Sequence, residues 1–312
     1  MPADPDPALH MVVSNALLRF EANLYAALPR AAPQLRQHLQ RVPTKPEHFF
    51  SASNFPHFLL PWWFSPVADR EADVEFQTDL MVSSISGYYA IRLCDNIADN
   101  DGPPALRSLA PCTLYFDSEA IAPYRRYFPA THPFWKSFER FLAGQAEASA
   151  ADSLLEDVDA DTFDSLSSQK FTGTKIPMAA VRWRYPGLES SFEKWLQFVD
   201  CLGNFAQFNN DFFDWRHDSQ HGIVTYVISE ARRRAPGENI ATWVLREGFD
   251  WGVNELKSRF KSAKLYAEAL ENDALLEWVI SRGQTLDDAI EKLRSGLDTL
   301  KTFGRVISGQ QL

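Results

Sequence analysis

Apolar residues recur at three- and four-residue steps over most of the chain, and strand-like alternation is weak. The longest uninterrupted pattern covers 69–100. Phe76, Leu80, Met81, Ser84, Tyr88, Ile91 and Asp95 mark one face of a helix there, with no proline and one glycine. Asp101, Gly102, Pro103 and Pro104 stop it. A second pattern covers 190–219, with Phe192, Trp195, Val199, Leu202, Phe205 and Phe208 along its apolar stripe. Further helices are predicted near 8–28, 133–150, 161–183, 223–234, 239–270 and 273–303, with loops at 101–112, 128–133, 184–188 and 235–238. No repeat, low-complexity tract or long linker divides the chain. The expectation is an all-α fold in a single domain over 1–312, with 1–30 as an N-terminal helical extension.

Composition removes several alternatives. A chain of 312 residues, 45% hydrophobic and 13% aromatic, can bury a large core without disulfides. Cys94, Cys112 and Cys201 contain no CxxC pair; they fit neither a disulfide framework nor a zinc site and suit a reducing compartment. The start is acidic and proline-rich, unlike a secretory signal. The stretch 48–68 lacks Asp, Glu, Lys and Arg, but Pro56, Pro61 and Pro66 interrupt it, so it reads as a buried aromatic segment. The expectation is a cytoplasmic protein with no membrane span. A net charge of −10 argues against a nucleic-acid partner, which needs a basic face.

The acidic residues cluster. Asp95 and Asp99 are four apart, one above the other at the end of the first long helix. Adjacent carboxylates repel unless a cation or water separates them, and the same face upstream is apolar and aromatic. Arg92 could hold an anion beside such a cation. The plain alternative is a solvated helix end with stop-signal aspartates.

The second cluster is less ordinary. Asn210, Asp214 and Asp218 are spaced i, i+4, i+8 along one ridge, which Gln207 and Gly203 continue upstream; Gly203 would leave room for a ligand. His217 lies off that ridge and reads as a surface group or as one that supports a ligand from behind. An Asn and two Asp are poor helix formers to find inside an aromatic run. Hard oxygen donors of this kind suit magnesium. Two such helices would bridge metal ions to a diphosphate above an apolar cavity. Ionisation would leave an allylic cation facing aromatic walls.

These residues resemble the class I isoprenoid (terpenoid) synthase superfamily. Arg92, Asp95 and Asp99 look like the first motif of squalene and phytoene synthases, and Gln207, Asn210, Asp214 and Asp218 look like the second. The second stretch is also similar to the NDxxSxxxE motif of class I terpene cyclases, with Asp214 and Asp218 replacing Ser and Glu. The segment 222–229 is similar to the loop and helix that follow this motif in many prenyl synthases. The resemblance implies the all-α terpenoid synthase bundle, three Mg2+ ions and a prenyl diphosphate substrate. It implies metal ligation by Asp95, Asp99, Asn210, Asp214 and Asp218, and diphosphate contacts from Arg92, Lys170, Gln207 and Arg216. Gly173 and Pro177 look like the helix break used near the ionising carbon. Tyr88, Phe205, Phe208 and Trp63 are candidates for the cavity wall, or for plain core.

Departures bear on the reaction. Asp95-Asn96 is not the DDxxD of chain-elongating enzymes, Phe213 stands where squalene and phytoene synthases often carry Arg, and the usual cyclase diphosphate sensor and C-terminal Arg-Tyr pair are absent. The narrower resemblance is to fungal humulene-type sesquiterpene synthases. Three readings follow: cyclisation of farnesyl diphosphate to a sesquiterpene, head-to-head joining of two prenyl diphosphates, or non-catalytic binding of a prenyl diphosphate. A homodimer is compatible with the sequence.

Overall fold

The computed structural model describes residues 6–39, 45–66, 73–98 and 104–307, apart from the side chains at 104, 105, 298 and 300–307. Its helices are α1 (Pro7–Ala27), α2 (Ala32–His38), α3 (Pro46–Phe50), α4 (Leu60–Phe64), α5 (Val74–Ala98), α6 (Cys112–Tyr127), α7 (Phe134–Asp152), α8 (Ala160–Lys170), α9 (Lys175–Arg184), α10 (Glu189–His221), α11 (Tyr226–Arg234), α12 (Ile240–Trp243), α13 (Phe249–Glu268) and α14 (Asp273–Ile307). No strand occurs among the described residues, so the all-α expectation holds. No helix among them is long and apolar enough to cross a membrane. By contact density the chain falls into two compact units, Met1–Leu142 with Gly173–Glu193, and Ala143–Thr172 with Lys194–Leu312.

In the first unit α5 packs against both α1 and α6. Asp6 caps α1 by accepting from the Ala8 amide at 3.0 Å, and Leu9, Val12, Val13, Ala16, Leu17, Phe20 and Leu24 form the buried face. Phe20 and Phe116 close on the ring of Tyr89 at 4.8 and 5.1 Å. Buried polar groups of α5 are satisfied: Gln77 Nε2 donates to Ser65 Oγ at 2.6 Å, and Ser83 Oγ to the Ala120 carbonyl at 2.6 Å. Asp79, 1% exposed, accepts from Arg19, Arg126 and Tyr127, tying α5 to both neighbours.

His57 lies against Phe58 and Tyr88, ring centroids 4.0 and 5.1 Å away, and its Nε2 is closed off from solvent without a hydrogen-bond partner. Burial pushes its pKa from 6.5 down to about 4. The unfolded chain therefore takes up a proton that the folded one refuses as pH falls from about 6.5 to 4, and stability is lost over that window. His57→Phe is expected to remove up to about 3 kcal/mol of acid sensitivity. Thermal unfolding from pH 7 to 4 checks this; parallel losses in wild type and variant would refute it.

In the second unit α8, α11 and α13 pack around α10. The Arg259 guanidinium lies over the rings of Phe163, Phe208 and Tyr226 at 4.6, 5.3 and 5.8 Å and pairs with Asp164. Gly252 is required for close approach: a Cβ there would lie 2.0 Å from Cε2 of Phe212. Asp159 caps α8 through the Thr162 amide at 2.8 Å, and Thr225 caps α11 through the Ile228 amide at 3.3 Å.

The periodic helices appear near their expected bounds, but three stretches differ. The helix expected over 161–183 is broken between Lys170 and Lys175 by a single 3₁₀ turn, Thr172–Thr174. The one expected over 239–270 is interrupted by a π turn, Val244–Gly248. Helix α6 has no counterpart in the expectation, because Pro123 sits inside it and few of its residues are buried apolar ones.

Candidate functional site

Helical geometry puts Gln207, Asp211, Asp214 and Asp218 along one ridge of α10, with Asn210 at its edge. Phe205, Phe208 and Phe212 take the other side and are buried, the first two completely. The ridge ends at Gly222, whose φ of 71° lets the Ile223 amide turn back to the Asp218 carbonyl at 2.9 Å.

Burial along the ridge is uneven. Asp211 is 3% exposed and Asp218 8%, Asp214 and Gln207 are half-buried, and Asn210 is exposed. Gln207 Nε2 donates to Asp211 Oδ1 at 2.8 Å. A cation arrives from α8. The Phe171 ring seats on Gly203, where a Cβ would come within 2.9 Å of it, so the room expected there for a ligand is filled by Phe171. That contact holds the end of α8 on α10. Lys170 then pairs with Asp152 at the end of α7 and lies within electrostatic range of Asp211.

Burial pushes the Asp211 carboxyl up to about 7; the Gln207 hydrogen bond and Lys170 pull it back, while Asp218 and Asp152 push it further up. This is a site with more negative charge than its one lysine offsets. Its donors are all oxygens from Gln207, Asp211, Asp218 and Asp152, a set that fits a hard divalent cation. No three His, Cys, Asp or Glu side chains among the described residues already converge on an ion. Magnesium does not require such a cage, since it keeps several waters and uses one or two carboxylates with phosphate oxygens.

The other candidates lie elsewhere. Arg216 is exposed and lines an apolar groove of about 800 Å³ with Phe212, Phe213, Leu245 and Phe249, on the side of α10 away from the ridge. Phe205 and Phe208 are core, packed on Phe260 and Phe163. In the first unit, Arg92 donates to Asn96 Oδ1 at 3.1 Å and stands 3.7 Å from Asp95 Oδ2; Asp95 is exposed. Asp99 lies outside the described residues. Tyr88 packs on His57 and Phe58, and Trp63 is buried in α4.

Sequence reasoning passed over Asp211 and Asp152. Asp211 carried a readable signal: it follows Gln207 by four and precedes Asp218 by seven, on the same ridge. Asp152 carried none, because only the packing of α7 and α8 brings it to Lys170.

No family model matches the chain, and no curated protein matches it. Solved structures do. The chain is similar to a geranylgeranyl pyrophosphate synthetase from the archaeon Geoglobus acetivorans, with a TM-score of 0.65, 12% identity, and coverage of 90% of this chain and 98% of that one. A polyprenyl synthase from Caulobacter crescentus, complexed with calcium and isoprenyl diphosphate, gives 0.66 at 13% identity, covering 93% and 99%. A T. brucei farnesyl diphosphate synthase complexed with a bisphosphonate gives 0.51 at 12%, covering 95% and 97%. At such identities the likeness speaks for the fold, and the fold of this chain is the all-α isoprenoid synthase fold.

Proposed function

We propose that the chain is a Mg2+-dependent class I terpene synthase that ionises a prenyl diphosphate, farnesyl diphosphate by preference, and closes the chain to a sesquiterpene hydrocarbon of humulene type. The observation that carries this reading is the buried Asp211, hydrogen-bonded to Gln207 and within electrostatic range of Lys170, Asp218 and Asp152, on a fold shared with enzymes named for prenyl diphosphates. Bound magnesium would supply Lewis-acid neutralisation of the departing diphosphate. The protein's own part is to hold Lys170 toward the same anion and to keep Asp211 charged once a cation arrives. Asp95, Asp99 and Arg92 take the corresponding role on α5, and Asn210, Asp214 and Asp218 complete the ligands of α10. Tyr88 and Trp63 are assigned to the aromatic wall. A cytoplasmic location and a homodimer belong to this same proposal.

Chain elongation is the second reading, favoured by the names of the three similar structures. Asp95-Asn96 in place of a paired aspartate argues against it. The protein is incubated with Mg2+ and geranyl, farnesyl or geranylgeranyl diphosphate, with and without isopentenyl diphosphate. Cyclisation gives a volatile hydrocarbon and free diphosphate without isopentenyl diphosphate. Elongation gives a longer diphosphate ester only when it is present. Failure of every substrate to release diphosphate would overturn both readings.

A further inference from the structure

The face of α10 opposite the carboxylate ridge borders the groove at Arg216, which the prenyl diphosphate chemistry leaves unused. Phe213 on α10, Leu245 in the π turn and Leu293 on α14 meet there and are 38, 41 and 43% exposed, an apolar surface open to water. A volume of about 800 Å³, lined mostly by aromatic and aliphatic side chains with a few polar groups, is that of a small-molecule site. The polar groups are ordered. Along α10 the lining runs from Phe212 and Phe213 through Arg216 to Ser219 and Gln220, so it is apolar first and then rich in donors. Phe212 packs on Phe249 at 6.0 Å, which closes the apolar end. Two lining residues are charged. Glu238 is held by Arg246 at 2.9 Å, whereas Arg216 makes no ion pair or hydrogen bond among the described residues.

We propose that this groove binds a long-chain fatty acid in its ionised form, with the carboxylate on Arg216 and the alkyl chain along Phe213, Leu245 and Leu293. Charge selects this occupant. A guanidinium takes a carboxylate through two parallel hydrogen bonds, and one unpaired cation balances one negative charge. A diphosphate ester brings more negative charge than that arginine offsets, on a chain of net charge −10. A second copy docked by the same face would bring another unpaired Arg216 toward the first. The alkyl chain covers apolar surface that otherwise faces water. The site is independent of the proposed synthase reaction, because ridge and groove lie on opposite sides of α10.

The test titrates the delipidated full chain with dodecanoate by calorimetry at pH 7.5 in chelator. One dodecanoate is expected to bind. Arg216→Ala should weaken it by more than about tenfold, the scale of a hydrogen bond to a charged group. Arg216→Lys should fall between, since an ammonium keeps the charge without the fork. Leu245→Asp should abolish binding by placing a carboxylate on the path of the chain. Dodecanol, which has the tail without the charge, should bind the wild type more weakly and be indifferent to Arg216→Ala. Arg216 and Leu245 are exposed, and circular dichroism checks that the variants fold; the dodecanol comparison on the wild type needs no variant. Asp211→Asn should leave the dodecanoate affinity unchanged. No dodecanoate binding, equal binding by Arg216→Ala, displacement by farnesyl diphosphate, or loss of binding in Asp211→Asn would each overturn the proposal. So would a dimer in sedimentation that Leu245→Asp splits and dodecanoate does not, because the face would then belong to a second copy.

Discussion

Asp211→Asn is expected to make the metal-free protein more stable at pH 8 while abolishing Mg2+-dependent diphosphate release. The acid of Asp211 has a pKa raised from 3.8 to about 7, first of all by burial. The folded protein therefore keeps a proton that the unfolded chain loses between about pH 4 and 7, and stability falls as pH rises through that window. Above it the cost of the buried charge is constant, with an upper bound of about 4 kcal/mol. Asparagine removes the charge but keeps an oxygen to accept from Gln207 Nε2. The melting temperature of the variant in chelator should thus exceed that of wild type by several degrees more at pH 8 than at pH 5. Turnover should fall at the same time by about a thousandfold, the loss of one preorganised charge at a metal-assisted centre. A gain that is the same at both pH values would remove the burial argument; full turnover by a folded variant would remove the proposed role. Stability held in reserve at a functional position is the expected signature of a site.

The helical class was legible because most of the long elements bury one stripe, and a stripe shows as periodicity without knowledge of its partner. Leu9, Val13, Phe20 and Leu24 on α1, or Phe205, Phe208 and Phe212 on α10, are examples. The break between α8 and α9 showed only in Gly173 and Pro177, since Phe163, Ser167, Met178 and Val181 keep one helical phase across it. What breaks the helix is tertiary: Phe171 turns onto Gly203, a contact 32 positions away in sequence. The α10 ridge was legible as a pattern of oxygen donors, yet the pattern alone did not rank its members. Asn210 and Asp211 are neighbours in sequence, and what separates them is which one the surrounding helices cover.

Asp79→Ala is expected to cost the fold about 3 kcal/mol, the lower end of the range for breaking a buried ion pair. Asp79 is 1% exposed and accepts from Arg19 Nη1 at 2.7 Å, Arg126 Nη1 at 3.0 Å and the Tyr127 hydroxyl at 2.7 Å. Its partners come from α1 and α6, so one carboxylate fixes two helices against α5. The lower end of the range applies because the arginines are partly exposed and can rehydrate once the acid is gone. Asp79→Asn should do no better than alanine. An amide cannot accept from three donors with a single oxygen, and its NH2 would face a guanidinium. Arg126→Ala should cost under about 1 kcal/mol, since that side chain is mostly in water. Urea unfolding of the three variants gives the ranking, and an Asp79→Ala cost no greater than that of Arg126→Ala would show that the clamp does not hold the helices. The same helix carries Arg92 and Asp95, thirteen and sixteen residues downstream of Asp79, at its far end. Loss of the clamp should therefore lower turnover at temperatures where the protein is still folded, with α5 less firmly placed and the residues it presents less well aimed.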